Sequence, residues 1–254
     1  MTTDVLGDTG ILTGRSLRHI LRSPDTIITT VVTPIALLLL FVYVLGGAIQ
    51  TGSEESYVNY MLPGILLISI ASGVAYTAYR LFLDMQGGIF DRLQSMPIAR
   101  SSVLWAHVLT SVVANLVSVA VVIGVALTIG FRTGASVGAW LAVAGILILF
   151  TLSLTWIAVI AGLSAKSVDG ASGFSYPLIF LPFISSAFVP TASMPGPVAW
   201  FAENQPVTSI VNTIRALLTQ QPAGSGIWIA LAWLVGLLIV AYAFAISIYR
   251  RKIS

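Results

Sequence analysis

The stretch GASVG, residues 134–138, matches the G-x-S-x-G serine-nucleophile pattern with Ser136 at its centre. That elbow needs a strand leading into it and a histidine to take the serine proton. Residues 134–138 instead follow a long apolar run, and the two histidines, His19 and His107, fall in stretches separated from Ser136 by such runs. The match is therefore read as chance. ATP hydrolysis through a P-loop is excluded as well, because that motif needs Gly-Lys-Ser/Thr. The two lysines, Lys166 and Lys252, follow Ala165 and Arg251. There is no cysteine, and no His/Asp/Glu group recurs at helical spacing inside an apolar run. The chain is expected not to be an enzyme and to bind no cofactor or metal of its own.

What remains is recognition. Residues 84–100 read DMQGGIFDRLQSMPIAR and sit between two long apolar runs. Gly87 and Gly88 interrupt the helix arriving from the first run. Ile89, Leu93 and Met96 then form an apolar stripe, while Asp91, Arg92 and Ser95 form a polar face, and Pro97 stops the helix. A short amphipathic helix with both ends tied to membrane spans is suited to fit a groove on a soluble partner. A solvated linker helix is the plainer alternative. A second charged stretch, TGRSLRHILRSP (13–24), places Arg15, Arg18, His19 and Arg22 on one helical face and Leu17, Ile20 and Leu21 on the other, with Pro24 ending it. This pattern predicts a helix over 13–23 lying flat at the membrane surface.

The elements that hold these stretches are apolar. The chain is 57% hydrophobic and 8% charged, with a mean hydropathy of +0.98. Soluble domains carry about 25% charged residues. Runs of about 20 uncharged apolar residues match the thickness of a bilayer, and they are continuous rather than alternating, which argues against a β-barrel. The expectation is an all-α polytopic membrane protein with six spans, near 27–49, 58–79, 103–131, 137–164, 171–190 and 226–248. These spans carry no charged residue. An intramembrane charge costs about 2.5–3.5 kcal/mol on insertion scales and marks ion or proton relays, so a proton-coupled carrier is disfavoured.

With six spans both termini share a side. Arg15, Arg18, Arg22, Arg80, Arg92, Arg100, Lys166, Arg250, Arg251 and Lys252 fall there, against Arg132 and Arg215 opposite. Ten basic residues against two put the termini and the 84–100 segment in the cytoplasm. Ser69, Gly73 and Thr77, and likewise Ala158 and Gly162, recur every fourth position and suit close helix packing. Residues 174–218 hold six of the eleven prolines. Their polar positions, Glu203, Thr208, Asn212 and Arg215, predict a broken re-entrant or interfacial helical hairpin over 193–218, on the extracellular side.

FLDMQGGIFDRLQSMPIARSSVLWAHVL (82–109) and SSAFVPTASMPGPVAWFAENQPVTSIVNTIRALL (185–218) closely resemble membrane subunits of ABC-2 type ABC exporters. The resemblance is strongest to the daunorubicin/doxorubicin resistance permease branch and extends over most of the chain, making 1–254 a single transmembrane domain. It implies that, within 84–100, residues 85–98 form the coupling helix contacting an ABC ATPase subunit, with Gly87, Gly88, Arg92, Met96 and Pro97 carried over; Ile89, Asp91 and Leu93 join them from the stripe and polar face read above. ATP and Mg would bind that partner. It further implies that the helix carrying Arg15, Arg18 and Arg22 flanks the ATPase. Pro195, Glu203, Asn204, Pro206 and Arg215 would belong to the hairpin capping the exit. The working assembly would be two ATPases with two permeases, the second expected to be identical, in the cell membrane and without nucleic acid. The substrate would be hydrophobic or amphipathic: a drug, lipid or glycolipid. The rival reading is a non-transporting membrane scaffold or assembly factor that docks a cytoplasmic partner.

Overall fold

The computed structural model describes residues 31–46, 56–87, 100–222 and 224–253. Among these the chain is helical and contains no strand. Four helices are long and apolar enough to cross a membrane: α2 (Tyr57–Gln86), α3 (Arg100–Thr128), α4 (Val137–Ser164) and α9 (Gly226–Ile253). The apolar runs predicted from sequence near 58–79, 103–131, 137–164 and 226–248 fall on these four. The other two runs take a different form. The first gives α1 (Thr33–Leu39), which continues as a wider π-helical turn over Leu40–Leu45.

The run near 171–190 does not form one helix. It is α5 (Val168–Gly173), α6 (Ser175–Phe180) and a 3-10 turn over Leu181–Ile184. Pro177 and Pro182 each remove a backbone donor and crowd the preceding turn, which explains the breaks. This stretch still travels the length of the bundle. It leaves α4 near Gly162, which lies against Ala78 and Leu81. It ends near Ser186, whose carbonyl shares Arg215 with that of Tyr60. Two further short helices, α7 (Gly196–Asn204) and α8 (Pro206–Leu218), precede α9.

Helix α2 is the axis of the fold. It is buried on nearly every side, by α1, α3, α4, α5, α6 and α8. Its small residues permit that crowding, since Gly64, Gly73 and Ala78 let neighbouring backbones or side chains close in. On α9, by contrast, Ala230, Leu234, Ala241, Ala245 and Tyr249 form one buried stripe, while Trp228, Ile239, Val240 and Phe244 face outward. An apolar exterior of this kind is what hydrocarbon solvates.

The tightest approach is rigid. A Cβ on Gly64 would stand 2.6 Å from Cβ of Ala187. Neither atom has a torsion with which to move away, so Gly64→Ala must push α2 off the 185–190 turn. Overpacking of this kind costs roughly 1–3 kcal/mol. The expected result is a lower unfolding midpoint of the detergent-solubilised protein, largely restored by adding Ala187→Gly. An unchanged midpoint in the single variant would show that the two segments do not meet as described.

Candidate functional site

The first candidate region is the end of the bundle where α2 and α3 flank the segment predicted to dock a partner. Helix α2 outruns the span read from sequence by nearly two turns, carrying Arg80 and Asp84 out to its end. It stops at Gln86, and the Gly87 N–H closes it on the Leu83 carbonyl at 2.8 Å. Asp84 Oδ2 meets His107 Nε2 of α3 at 3.2 Å. The guanidinium of Arg80 lies 5.9 Å from the Tyr76 ring centroid. Beneath them, Trp156 packs edge-on against Trp105 and Tyr242 at 5.3 and 4.8 Å, joining α3, α4 and α9. The exit of α2 and the start of α3 are thus fastened side by side. Of the docking residues read from sequence only Gly87 belongs to the described part. Gly88, Ile89, Asp91, Arg92, Leu93, Met96 and Pro97 lie outside it, as do Arg15, Arg18 and Arg22.

The opposite end carries the hairpin. Pro195 precedes α7, Pro206 opens α8, and both fit there because the first helical donors have no partner to lose. Asn204 donates to the Trp200 carbonyl at 2.7 Å and closes α7. Helix α8 buries Val207, Ile210, Val211, Ile214 and Leu218 against the bundle. Trp200, whose spacing continues that stripe, is 68% exposed, because the break at Gln205 turns α7 away.

Arg215 is the clasp of this end. Its Nε and one terminal nitrogen both donate to the Tyr60 carbonyl, at 3.1 and 3.0 Å. The same nitrogen donates to Ser186 O at 2.7 Å, and the other to Asn212 Oδ1 at 2.9 Å. Its guanidinium carbon also stands 3.8 Å above the Tyr60 ring. One side chain therefore ties α8 to α2 and to the 185–190 turn. Gln205 adds bonds to the Leu181 and Ile184 carbonyls, and Asn59 exchanges two bonds with the Arg132 backbone.

Between the two ends runs a polar seam. Ser69 bonds Ser118 at 3.0 Å, Thr77 donates to Ser111 at 2.9 Å, and Ser111 bonds Thr155 at 3.1 Å. Asn115 donates to the Ser111 carbonyl at 2.9 Å. Its side chain occupies the notch of Gly73, where a Cβ would come within 2.2 Å of Oδ1. All these side chains are buried, and in a membrane such bonds join helices that have no hydrophobic drive to associate. Sequence reasoning placed Ser69, Gly73 and Thr77 as packing positions only. Ser111, Asn115 and Ser118, at i, i+4 and i+7 in an apolar run, were the signal for the partner face.

Ser136 has a plain role. Its hydroxyl accepts from the Ala139 N–H at 3.2 Å and caps α4.

Residues 8–219 match the family described as ABC-2 type transporter. The chain belongs to that family. It is 29% identical over 245 residues to the daunorubicin resistance ABC transporter permease protein DrrB1 of Streptomyces coeruleorubidus, covering 94% of this chain and 84% of that relative. It is 25% identical over 247 residues to the probable doxorubicin resistance ABC transporter permease protein DrrC of Mycobacterium tuberculosis, covering 97% and 89% of the two chains. The ABC-2 match spans both ends of the bundle, from before α1 to the close of α8. This chain is thus an ABC-2 permease, a multi-pass membrane protein whose family carries out transport.

Proposed function

We propose that this permease is the membrane subunit of an ATP-driven exporter that moves an amphipathic or lipid-like compound outward, with energy from a separate ABC ATPase. The carrying observation is the geometry at residues 84–107. Helices α2 and α3 emerge at one end, fastened by Asp84 and His107 on either side of a short segment with an apolar stripe, Ile89, Leu93 and Met96, and a polar face, Asp91 and Arg92. A push on that segment enters the central helix of the fold directly. In this reading the chain crosses the membrane six times, with α1 in the first crossing and the broken α5–α6 stretch as the fifth. Seventeen residues from Val168 to Ile184 extend about 25 Å at helical rise, close to the hydrocarbon thickness. The ten-to-two distribution of basic residues supports cytoplasmic termini and an extracellular hairpin.

Two ATPases and a second, identical permease complete the assembly, as ABC-2 permeases work in general. The relatives named for daunorubicin and doxorubicin resistance, together with spans lined by Leu, Ile, Val and Ala, favour an amphipathic drug or lipid. Affinity purification of the tagged protein from mild detergent tests the partnership. A stoichiometric ABC ATPase in the eluate is expected; its absence at every salt concentration would remove the energy source.

The Asp84–His107 contact has its own expected outcome. His107 and Asp84 are 11% and 29% exposed, and their contact joins α2 to α3 where the two helices emerge. Replacing His107 by alanine should leave folding and ATPase association intact while transport per ATP hydrolysed falls severalfold, because the push no longer moves α2 and α3 together. Equal losses of hydrolysis and transport, their ratio unchanged, would contradict a coupling role.

A further inference from the structure

A concavity of about 360 Å3 opens between the end of α7, the 3-10 turn at Thr191–Ser193, α8 and the start of α9. Thr191, Glu203, Thr208, Ser209, Asn212 and Thr213 line it with polar atoms. Their hydrogen bonds give it a chemical sign. Thr208 and Thr213 send their hydroxyl protons inward, to the Ala202 and Ser209 carbonyls. Thr191 gives its proton to Glu203 Oε1 at 3.2 Å. Thr208 Oγ1 also accepts from the Ser186 N–H at 3.4 Å, and Asn212 Oδ1 accepts from Ser186 Oγ and Arg215, so the acceptors left to a ligand are the Thr191, Ser209 and Thr213 oxygens and the Glu203 carboxylate. Glu203 adds a carboxylate in the last turn of α7, where the helix carbonyls already make the potential negative. Among the described residues no basic group stands within ion-pair distance of Glu203. Arg215 donates to Tyr60, Ser186 and Asn212. An anionic ligand would meet a carboxylate here, and a neutral apolar one would leave acceptors unpaired.

We propose that this concavity is a binding site for the primary ammonium group of an amphiphile, with Glu203 as its counter-ion and the Thr and Ser oxygens as further acceptors. It rests on the exporter reading only in placing this end at the exit. Two sources carry that chemistry, a transported amine or the ethanolamine headgroup of a lipid.

Binding is measured on the full chain alone, in phosphatidylcholine nanodiscs, by energy transfer from tryptophan to a dansyl-labelled alkylamine and to its N-acetylated, neutral counterpart. No ATPase takes part, so the result stands apart from the fate of the exporter reading. Wild type is expected to bind the amine about tenfold more tightly than the acetylated probe. Glu203→Gln should abolish that preference with an unchanged unfolding midpoint, and Glu203→Asp should keep part of it. Repeating the titration with phosphatidylethanolamine in the discs separates the sources. Competition by this lipid assigns the site to the headgroup, and unchanged amine binding assigns it to a free amphiphile. Equal affinity of wild type for both probes, equal weakening of both by Glu203→Gln, or an amine preference that survives Glu203→Gln would each overturn the proposal.

Discussion

Replacing Arg215 by alanine is expected to destabilise the protein more than any other single change in the hairpin, by about 3 kcal/mol. The variant loses four hydrogen bonds and the stacking on Tyr60. The deeper cost lies in what is left behind, since the Tyr60 and Ser186 carbonyls lose a charged donor in a partly buried setting. Bonds to charged groups contribute about 1.5–3 kcal/mol each, and orphaned buried acceptors cost about 1–3 kcal/mol. The losses are not additive, because the hairpin can shift and admit water. Lysine should rescue little, because a single ammonium cannot reproduce a fork that reaches two backbone carbonyls and a side-chain amide together. The check is the unfolding midpoint in detergent, together with protease sensitivity of the 185–222 region. An alanine variant as stable as wild type would show that the van der Waals packing of α8 alone holds the hairpin.

The second large effect concerns Asp91 and Arg92. Changing both to alanine should leave insertion and the unfolding midpoint intact while ATPase association weakens by at least about tenfold, or about 1.4 kcal/mol. This follows from the amphipathic pattern of residues 84–100, with the charged pair on its polar face beside an apolar stripe. Charge pairs that become desolvated at an interface are costly to truncate. Co-purification across a salt series measures it, and undiminished association would make 84–100 a linker rather than a docking element.

The sequence was most legible where one physical rule dominates. Long uncharged runs with no internal proline, as in α4 and α9, have a single good solution in hydrocarbon, and the run read as 137–164 coincides with Val137–Ser164. Helix α2 keeps Pro63 in its second turn and remains one helix, since a proline so near the start removes few bonds. Pro177 and Pro182 lie mid-run and break the apolar stretch into α5, α6 and a 3-10 turn. The dense prolines and polar residues of 193–218 fall on two short helices, α7 and α8.

What could not be read was partnership at a distance. Arg215 appeared as a polar-face residue, yet it reaches the backbone carbonyls of Tyr60 and Ser186, 155 and 29 residues away. Every residue type carries such carbonyls, so nothing in the sequence points to them. The spacing of Asn115 showed, but its partner was invisible for a related reason. Its place depends on the empty volume at Gly73 on another helix, and a missing side chain announces small size without naming what fills the gap. Asp84 and His107 fell near the ends of separate runs, and only the nearly two extra turns of α2 bring them together.

In the proposed exporter, ATP hydrolysed by a partner moves a compound through this permease. The most direct measurement takes the purified permease–ATPase complex in proteoliposomes and follows hydrolysis and fluorescence of an amphipathic dye in the same sample. ATP-dependent movement of dye toward the face bearing the hairpin is expected, with hydrolysis rising as dye is added. A complex that assembles and hydrolyses ATP at a rate indifferent to every amphiphile, while moving none, would contradict it and make the protein a docking scaffold.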